Sequence, residues 1–354
     1  MLVRCRMQGT GCSHEKSHAR KDGYVQIFRE ILIMKSFADC QKFLANPDQL
    51  CYARLSRLEE GSGRGQRIVD VCNGSGLQFT VTPDRGMNLV ECSFMGIPIA
   101  FRTPCGHRDT SGDWLHNWTG GMMTTAGLRN IGSPSGTQSL HGAISAEAAE
   151  HLAPICRNGE ICISGTLREG ALFDADLSLE RRISTGYGRN RIDIHDRVSN
   201  GGEFPTFTEI LYHCNFGFPF VSPSIRFEAP EHEIEPRNPE SASGQAEWNR
   251  FPEPLSGFNE HCFRHKLPAG KDGVASMRVV NPDLGIAVRI EYRTDTLPYL
   301  VEWKKPSKFG YVLGLEPTNG SLNGCEFDRQ NGFGVTLESG SSVEYECSLI
   351  FETV

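Results

Sequence analysis

Tyr311-Val-Leu-Gly-Leu-Glu-Pro-Thr-Asn-Gly320 alternates as a β-strand does, with Tyr311, Leu313 and Leu315 on one face and Val312, Gly314 and Glu316 on the other. Pro317 has no N–H to give to a ladder and is expected to end the pairing. A carboxylate at the end of an apolar strand, with a glycine two positions earlier on its own face, is mounted as a general base would be. The glycine leaves room beside the acid, and the strand holds it on a rigid element. The same pattern also suits a strand-end glutamate that faces water.

Phe207 to Phe218 reads as a second strand of this kind. Thr208, Ile210, Tyr212, Cys214, Phe216 and Phe218 form the face expected in the core. The opposite face carries Glu209, His213 and Asn215 in a row, at steps of about 7 Å. A merely solvated face would favour Lys or Arg over His and Asn. Further strands are expected near 160–167, 172–183, 190–198, 274–280, 285–293, 297–304, 333–338 and 341–352. In the last, Val343, Tyr345, Cys347, Leu349 and Phe351 alternate with polar residues. Ile68–Cys72 and Leu77–Val81 flank Asn73-Gly-Ser-Gly76 as a hairpin. Ser36 to Leu44 suits a short helix capped by Ser36. This dominance of strands predicts an all-β chain, one large β-sandwich with few short helices. The expected organisation is a single domain over 34–354, preceded by an extension over 1–33 that is either disordered or not part of the native protein.

Composition narrows the function classes. A net charge of -7 argues against nucleic acid or an anionic membrane surface as partner. No run approaches the about 18 apolar residues of a membrane helix. The 13 cysteines are scattered singly, with no CxxC pair. This pattern points to free thiols in a reducing, cytoplasmic compartment, without a disulfide frame or structural zinc site.

Residues 103–139 read as a long irregular stretch rich in Gly, Ser, Thr and Trp, with Gly120 to Asn130 loop-like; a loop of this length is usually functional. It leads to Leu140-His-Gly142. Arg85 follows a Pro83-Asp84 turn, and Gly86 would let a ligand approach the backbone. Asn259-Glu-His261 closes a proline-rich excursion over 230–258, and Trp303-Lys304 sets an apolar plate beside a cation. Each has a plain core or surface reading. Together they suit a sugar site of bidentate donors, an aromatic plate and an acid/base pair.

The motifs Thr82-Pro-Asp-Arg-Gly86, Gly120 to Asn130, Leu140-His-Gly142, Leu211 to Pro219, Trp303-Lys304 and Gly314-Leu-Glu-Pro317 resemble, in this order, the aldose 1-epimerase (galactose mutarotase-like) superfamily, most closely its DUF4432 branch. The resemblance runs from about Gly65 to the C-terminus. It implies a β-supersandwich with a sugar site in a cleft across one sheet. It further implies Glu316 as general base, His213 as general acid, His141 as a sugar-binding histidine and Arg85 as a substrate contact. Glu260 or His261 falls near the acid that grips a hydroxyl. Arg129, Asn130, Asn215, Trp303 and Lys304 complete the expected substrate-binding set. Ala143, Tyr212 and Pro317-Thr-Asn-Gly320 depart from the mutarotase pattern; they leave the acid and base in place and bear on which sugar is accepted.

The expected activity is interconversion of α and β anomers of an aldose or derivative, by acid/base opening of the ring. It needs no metal, nucleotide or redox cofactor, and a monomer or homodimer would suffice. The alternatives are a carbohydrate-binding or regulatory protein without turnover, and an isomerase or lyase acting on a modified sugar. A divalent ion held by His141, His213 and a glutamate is a further variant.

Overall fold

The structure, a computed structural model, describes residues 36–108 and 113–354. The extension expected over 1–33 lies outside the described residues. The chain divides into two compact units, Met1–Ala45 and Asn46–Val354. In the described part of the first, α1 (Phe37–Gln41) starts at Ser36, whose hydroxyl accepts from the Asp39 N–H as an N-cap should.

The second unit is built of strands. In chain order they are β1 (Tyr52–Arg57), β2 (Arg67–Cys72), β3 (Leu77–Thr82), β4 (Asn88–Phe94), β5 (Ile97–Pro98), β6 (Met123–Leu128), β7 (Glu150–Arg157), β8 (Glu160–Gly170), β9 (Asp176–Gly186) and β10 (Arg189–Asn200). There follow β11 (Thr206–Gly217), β12 (Arg226–Glu228), β13 (Glu233–Pro236), β14 (His261–Lys266), β15 (Val274–Asn281), β16 (Ile286–Arg293), β17 (Tyr299–Ser307), β18 (Gly310–Thr318), β19 (Val335–Leu337) and β20 (Ser342–Thr353). Three short helices join them: α2 (Trp114–Asn117), α3 (Pro239–Ser243) and α4 (Cys325–Gln330).

The strands form two antiparallel sheets. The first runs β1-β2-β3-β4-β6-β11-β18-β17-β14-β13, with β5 on β4 and β19 on β11. The second runs β12-β15-β16-β20-β10-β9-β8-β7. Packed face to face, they make the expected all-β sandwich. Between them Arg181 of β9 and Asp196 of β10 form a fully buried bidentate pair. Tyr212 of β11 donates its hydroxyl to the same aspartate at 2.8 Å, and Arg181 donates to the Gly86 carbonyl. This network joins the sheets directly behind β11.

Two local expectations need correction. Gly120 to Asn130 is not a loop: β6 lies inside the first sheet with every residue buried. Its glycines serve close approach rather than a turn, since a Cβ on Gly127 would stand 2.5 Å from the Glu209 carbonyl oxygen. Nor does Pro317 end its strand. It pairs in register with Leu300 of β17, and β18 runs on to Thr318. Only the ladder toward β11 is broken, between Leu211↔Thr318 and Cys214↔Leu315. A missing N–H costs a strand one neighbour and leaves the other in place. Both faces of β11 are buried, the second under loops rather than under a sheet.

Candidate active site

The break in that ladder holds the chemistry. Cys214 pairs with Leu315 and Asn215 with Gly314. One step further the same register sets His213 opposite Glu316. Their side chains rise from the sheet face turned away from the sandwich core, with His213 Nδ1 3.1 Å from Glu316 Oε1. The ring N–H is not aligned on the oxygen, and neither atom has a hydrogen-bond partner among the described residues. Both side chains are almost completely buried. Beside them in the sheet Ala126, Ile131, Leu211, Val301 and Leu322 form a small apolar cluster that reaches the pocket floor at Leu322. Gly314 leaves the room the sequence suggested: a Cβ there would fall 2.5 Å from Glu316 Oε1.

Above this floor is a pocket of about 240 Å³. Aromatic rings wall it. The His213 ring centroid lies 5.1 Å from Trp118, 5.3 Å from Trp303 and 5.7 Å from His141. Trp114 stacks on Trp118 at 5.7 Å and meets His141 at 4.5 Å. His141 sits in the left-handed region at φ 62°, a conformation a side chain adopts only under constraint. Its Nδ1 bonds the Ile131 carbonyl at 2.7 Å, which sets the ring against the pocket. At the mouth Trp303 donates its Nε1–H to Glu260 at 2.9 Å, and Arg237 reaches toward the same carboxylate at 3.9 Å. Arg237 also donates to Ser133 Oγ at 2.9 Å.

Burial dominates the electrostatics. Glu316 is pushed well above the usual carboxylate range by desolvation, then by the Glu260 charge, with Arg237 opposing. Desolvation, with His141 as a second cause, lowers His213 to about 3. Desolvation likewise lowers His141 to about 4, against its bond to Ile131. These shifts favour the uncharged forms of both groups, a carboxylic acid beside a neutral imidazole. The roles of general base and general acid call instead for an ionised glutamate beside a protonated histidine. Those two descriptions hold the same number of protons and differ by one transfer across the 3.1 Å contact.

His141, His213, Glu260, Trp303 and Glu316 thus line one pocket. Asn215 is buried beside it and donates to the carbonyls of Gly121 and His213. The other expected residues lie elsewhere. Lys304 is on the opposite face of β17 from Trp303, because neighbours on a strand point opposite ways. Its Nζ donates to the Glu247 and Trp248 carbonyls at 2.8 and 2.9 Å, and to that of Arg250. Arg129 forms a bidentate pair with Asp174, away from the pocket. Asn130 is fully buried and donates to the carbonyls of Gly132, Ser133 and Ser139, shaping the loop that carries His141. Arg85 donates to the carbonyls of Arg108 and Asn117. It lines an adjoining cavity of about 530 Å³ that shares Trp114, Leu115, Trp118 and Leu140 with the first. Tyr212, a departure from the mutarotase pattern, points away from the pocket into the buried network.

Trp114, Trp118 and Arg237, which wall and edge the pocket, were not picked out by sequence. Trp114 and Trp118 belonged to a stretch singled out as long and rich in Trp, which was the available signal. Arg237 lies in the proline-rich excursion, where no periodicity marked it. Among the described residues no group of three His, Cys, Asp or Glu side chains is placed to hold a metal ion. No helix among them is long and apolar enough to cross a membrane.

Comparison with known proteins follows the same lines. Residues 63–350 match the family described as a domain of unknown function (DUF4432). A candidate aldose 1-epimerase from Klebsiella pneumoniae is similar at 26% identity and a TM-score of 0.78, over 84% of this chain and 83% of that one. A galactose mutarotase-like protein from Clostridium acetobutylicum shares 14% identity at a TM-score of 0.60, over 86% of this chain and 100% of that one. A galactose 1-epimerase from Lactobacillus acidophilus shares 13% at 0.58, over 86% and 99%. The last two likenesses establish the galactose mutarotase-like fold alone. No curated protein matches the chain significantly.

Proposed function

We propose that this chain, which belongs to the DUF4432 family, is an aldose 1-epimerase-like enzyme that interconverts the α and β anomers of an aldose. One observation carries the reading: His213 Nδ1 and Glu316 Oε1 stand 3.1 Å apart, each without a hydrogen-bond partner among the described residues, in a buried pocket walled by tryptophans. A pyranose offers apolar C–H faces to indole planes and hydroxyls to polar edges. Trp118 and Trp303 take the first role; His141, Arg237 and Glu260 take the second.

Opening a hemiacetal ring removes the proton from the C1 hydroxyl and gives one to the ring oxygen. The C1–C2 bond then rotates, and the ring closes on the other face. The His213–Glu316 pair holds the one proton this requires. Sugar hydroxyls entering the pocket hydrogen-bond the pair and favour its charged form, carboxylate beside imidazolium. Glu316 takes the C1 proton and His213 protonates the ring oxygen; on reclosure they exchange roles. Each positioned group contributes about 10²–10⁴-fold, and because they act on one substrate as a unit the two factors do not simply multiply.

A protein that only binds sugar would use the aromatic walls but has no need of an acid in contact with a base. The test is NMR magnetisation exchange between α and β anomers across neutral and acidic aldoses, with and without the protein. Acceleration for one class supports the reading and names the sugar class. Shift changes that report binding, with no acceleration for any sugar, would overturn turnover and leave a binding protein.

A further inference from the structure

Glu209 lies four residues before His213 on the same face of β11, fully buried and outside the pocket lining. Its Oε1 accepts the Ile131 N–H at 2.9 Å. Ile131 is the residue whose carbonyl holds His141 Nδ1 at 2.7 Å. The other oxygen, Oε2, has no donor among the described residues. It faces Asp328 of α4, also fully buried. Both carboxyls close on Gly320, where a Cβ would stand 2.8 Å from Asp328 Oδ2 and 3.2 Å from Glu209 Oε2. Asp328 accepts from the Ser321 N–H at 2.8 Å and from the Ser321 hydroxyl. The segment 319–321 directly follows β18, the strand of Glu316.

Two buried carboxyls that converge on one backbone position cannot both be ionised at modest cost, and an unpartnered buried carboxyl oxygen is costly as well. A single proton on Glu209 Oε2, donated to Asp328, removes both costs. We infer that Glu209 and Asp328 share one proton, and that this carboxyl clamp positions His141 through Ile131 and fastens its loop to the segment behind Glu316. Glu209 is a positioning residue, since it reaches the pocket only through Ile131. Losing the proton to solvent leaves two carboxylates face to face, and the Ile131 bond is then the part free to give.

Among the described residues no counter-charge acts on Glu209; what bears on it is Asp328 and the Ile131 N–H. The Tyr345 hydroxyl accepts from Asn319 Nδ2 at 3.2 Å, and Glu169 accepts the N–H of Leu128, which lies opposite Glu209. Neither carboxyl bonds a lysine or arginine among the described residues. Burial first, and Asp328 second, push the Glu209 carboxyl up to about 9.

Glu209→Gln tests the clamp directly. The amide keeps an acceptor for Ile131 and a donor for Asp328, and it has no proton to lose. Glu209→Ala removes both bonds. Two readouts that need no turnover are followed from about pH 5 to about pH 10: the denaturant midpoint, and the His141 ring NMR signal, assigned with His141→Asn. The folded state holds a proton that the unfolded chain releases near 4.5, so wild-type stability should fall, relative to Glu209→Gln, from there up to about 9 and then level off. The His141 signal should shift near that upper pH in the wild type and stay fixed in Glu209→Gln. In Glu209→Ala it should be displaced throughout. If Ala fails to fold, the Gln comparison alone decides. Equal pH dependence in wild type and Glu209→Gln, with His141 unmoved, overturns the clamp. The inference rests on the epimerase reading only for the use of His141. A titrating clamp without anomer exchange for any sugar would uphold the clamp and remove the enzymatic reading.

Discussion

Gly314 and Glu316 share one face of β18, and the first makes the place the second occupies: a Cβ at 314 would stand 2.5 Å from Glu316 Oε1 and 3.1 Å from the Trp303 Cβ. Gly314→Ala must therefore displace the carboxyl or the indole, while the strand can keep its pairing. Anomer exchange should fall about 10²-fold, the cost of misplacing a reacting group by about an ångström. Tryptophan fluorescence should shift with it. Unchanged exchange would show that this room is not used in the chemistry.

Glu316→Gln separates charge from chemistry. Burial favours the neutral form of the native carboxyl, which glutamine matches in shape and charge. The neutral acid's contribution to stability is full below the unfolded value near 4.5 and is lost as pH rises toward the elevated folded value. Near neutral pH the variant should thus be at least as stable as the wild type. Exchange should fall about 10²–10⁴-fold with sugar binding largely retained. Exchange near the wild-type rate would remove Glu316 from the mechanism.

The two pocket histidines carry the opposite sign. Their folded values lie below the unfolded 6.5, at about 3 for His213 and about 4 for His141. Their contribution is complete above 6.5 and is lost as pH falls through those values, because the unfolded chain takes up the protons first. His213→Asn should flatten that acid limb in denaturant titrations. It should also lower kcat more than it raises KM; an effect confined to KM would make His213 a binding residue.

Trp303 and Lys304 should part company on mutation. Trp303→Ala removes a pocket wall, and KM for the sugar should rise about tenfold, equivalent to about 1.4 kcal/mol. Lys304→Met abandons three carbonyls of the segment 247–250 on the other side of the sheet. It should cost about 1–3 kcal/mol of stability and leave KM close to wild type. The reverse assignment of effects would contradict the placement of the two side chains.

The strands with one apolar face were legible because a period of two is written directly in the residues, and β8, β10, β11, β16, β18 and β20 fall close to where it put them. β6 was not legible. Glycine and threonine look alike whether they make a loop or allow backbones to close, and the difference lies in β4 and β11 on either side. In the site, Gly314 beside Glu316 was readable, since both are on one strand. The contact of His213 with Glu316 depends on the pairing of distant strands, which no local pattern could show; the resemblance implied only their roles as acid and base. Arg129, Lys304 and Arg85 carried the chemistry of a sugar contact, yet each is committed to a protein partner. A charge in a sequence does not say whether its partner is ligand or backbone.

The broken ladder between β11 and β18 leaves His213 and Glu316 facing each other across one rung. Neighbouring strands lie at a spacing fixed by the peptide group, about 4.8 Å. The backbone spacing beneath this acid and this base is therefore set by the sheet, and Gly314 leaves the room in which their side chains meet across it. Substitution in the loops of Trp118, His141 and Arg237 can reshape what enters the pocket without touching that spacing. On the proposed reading, selectivity belongs to the loops and reactivity to the paired strands, so that one can be redesigned while the other is held still.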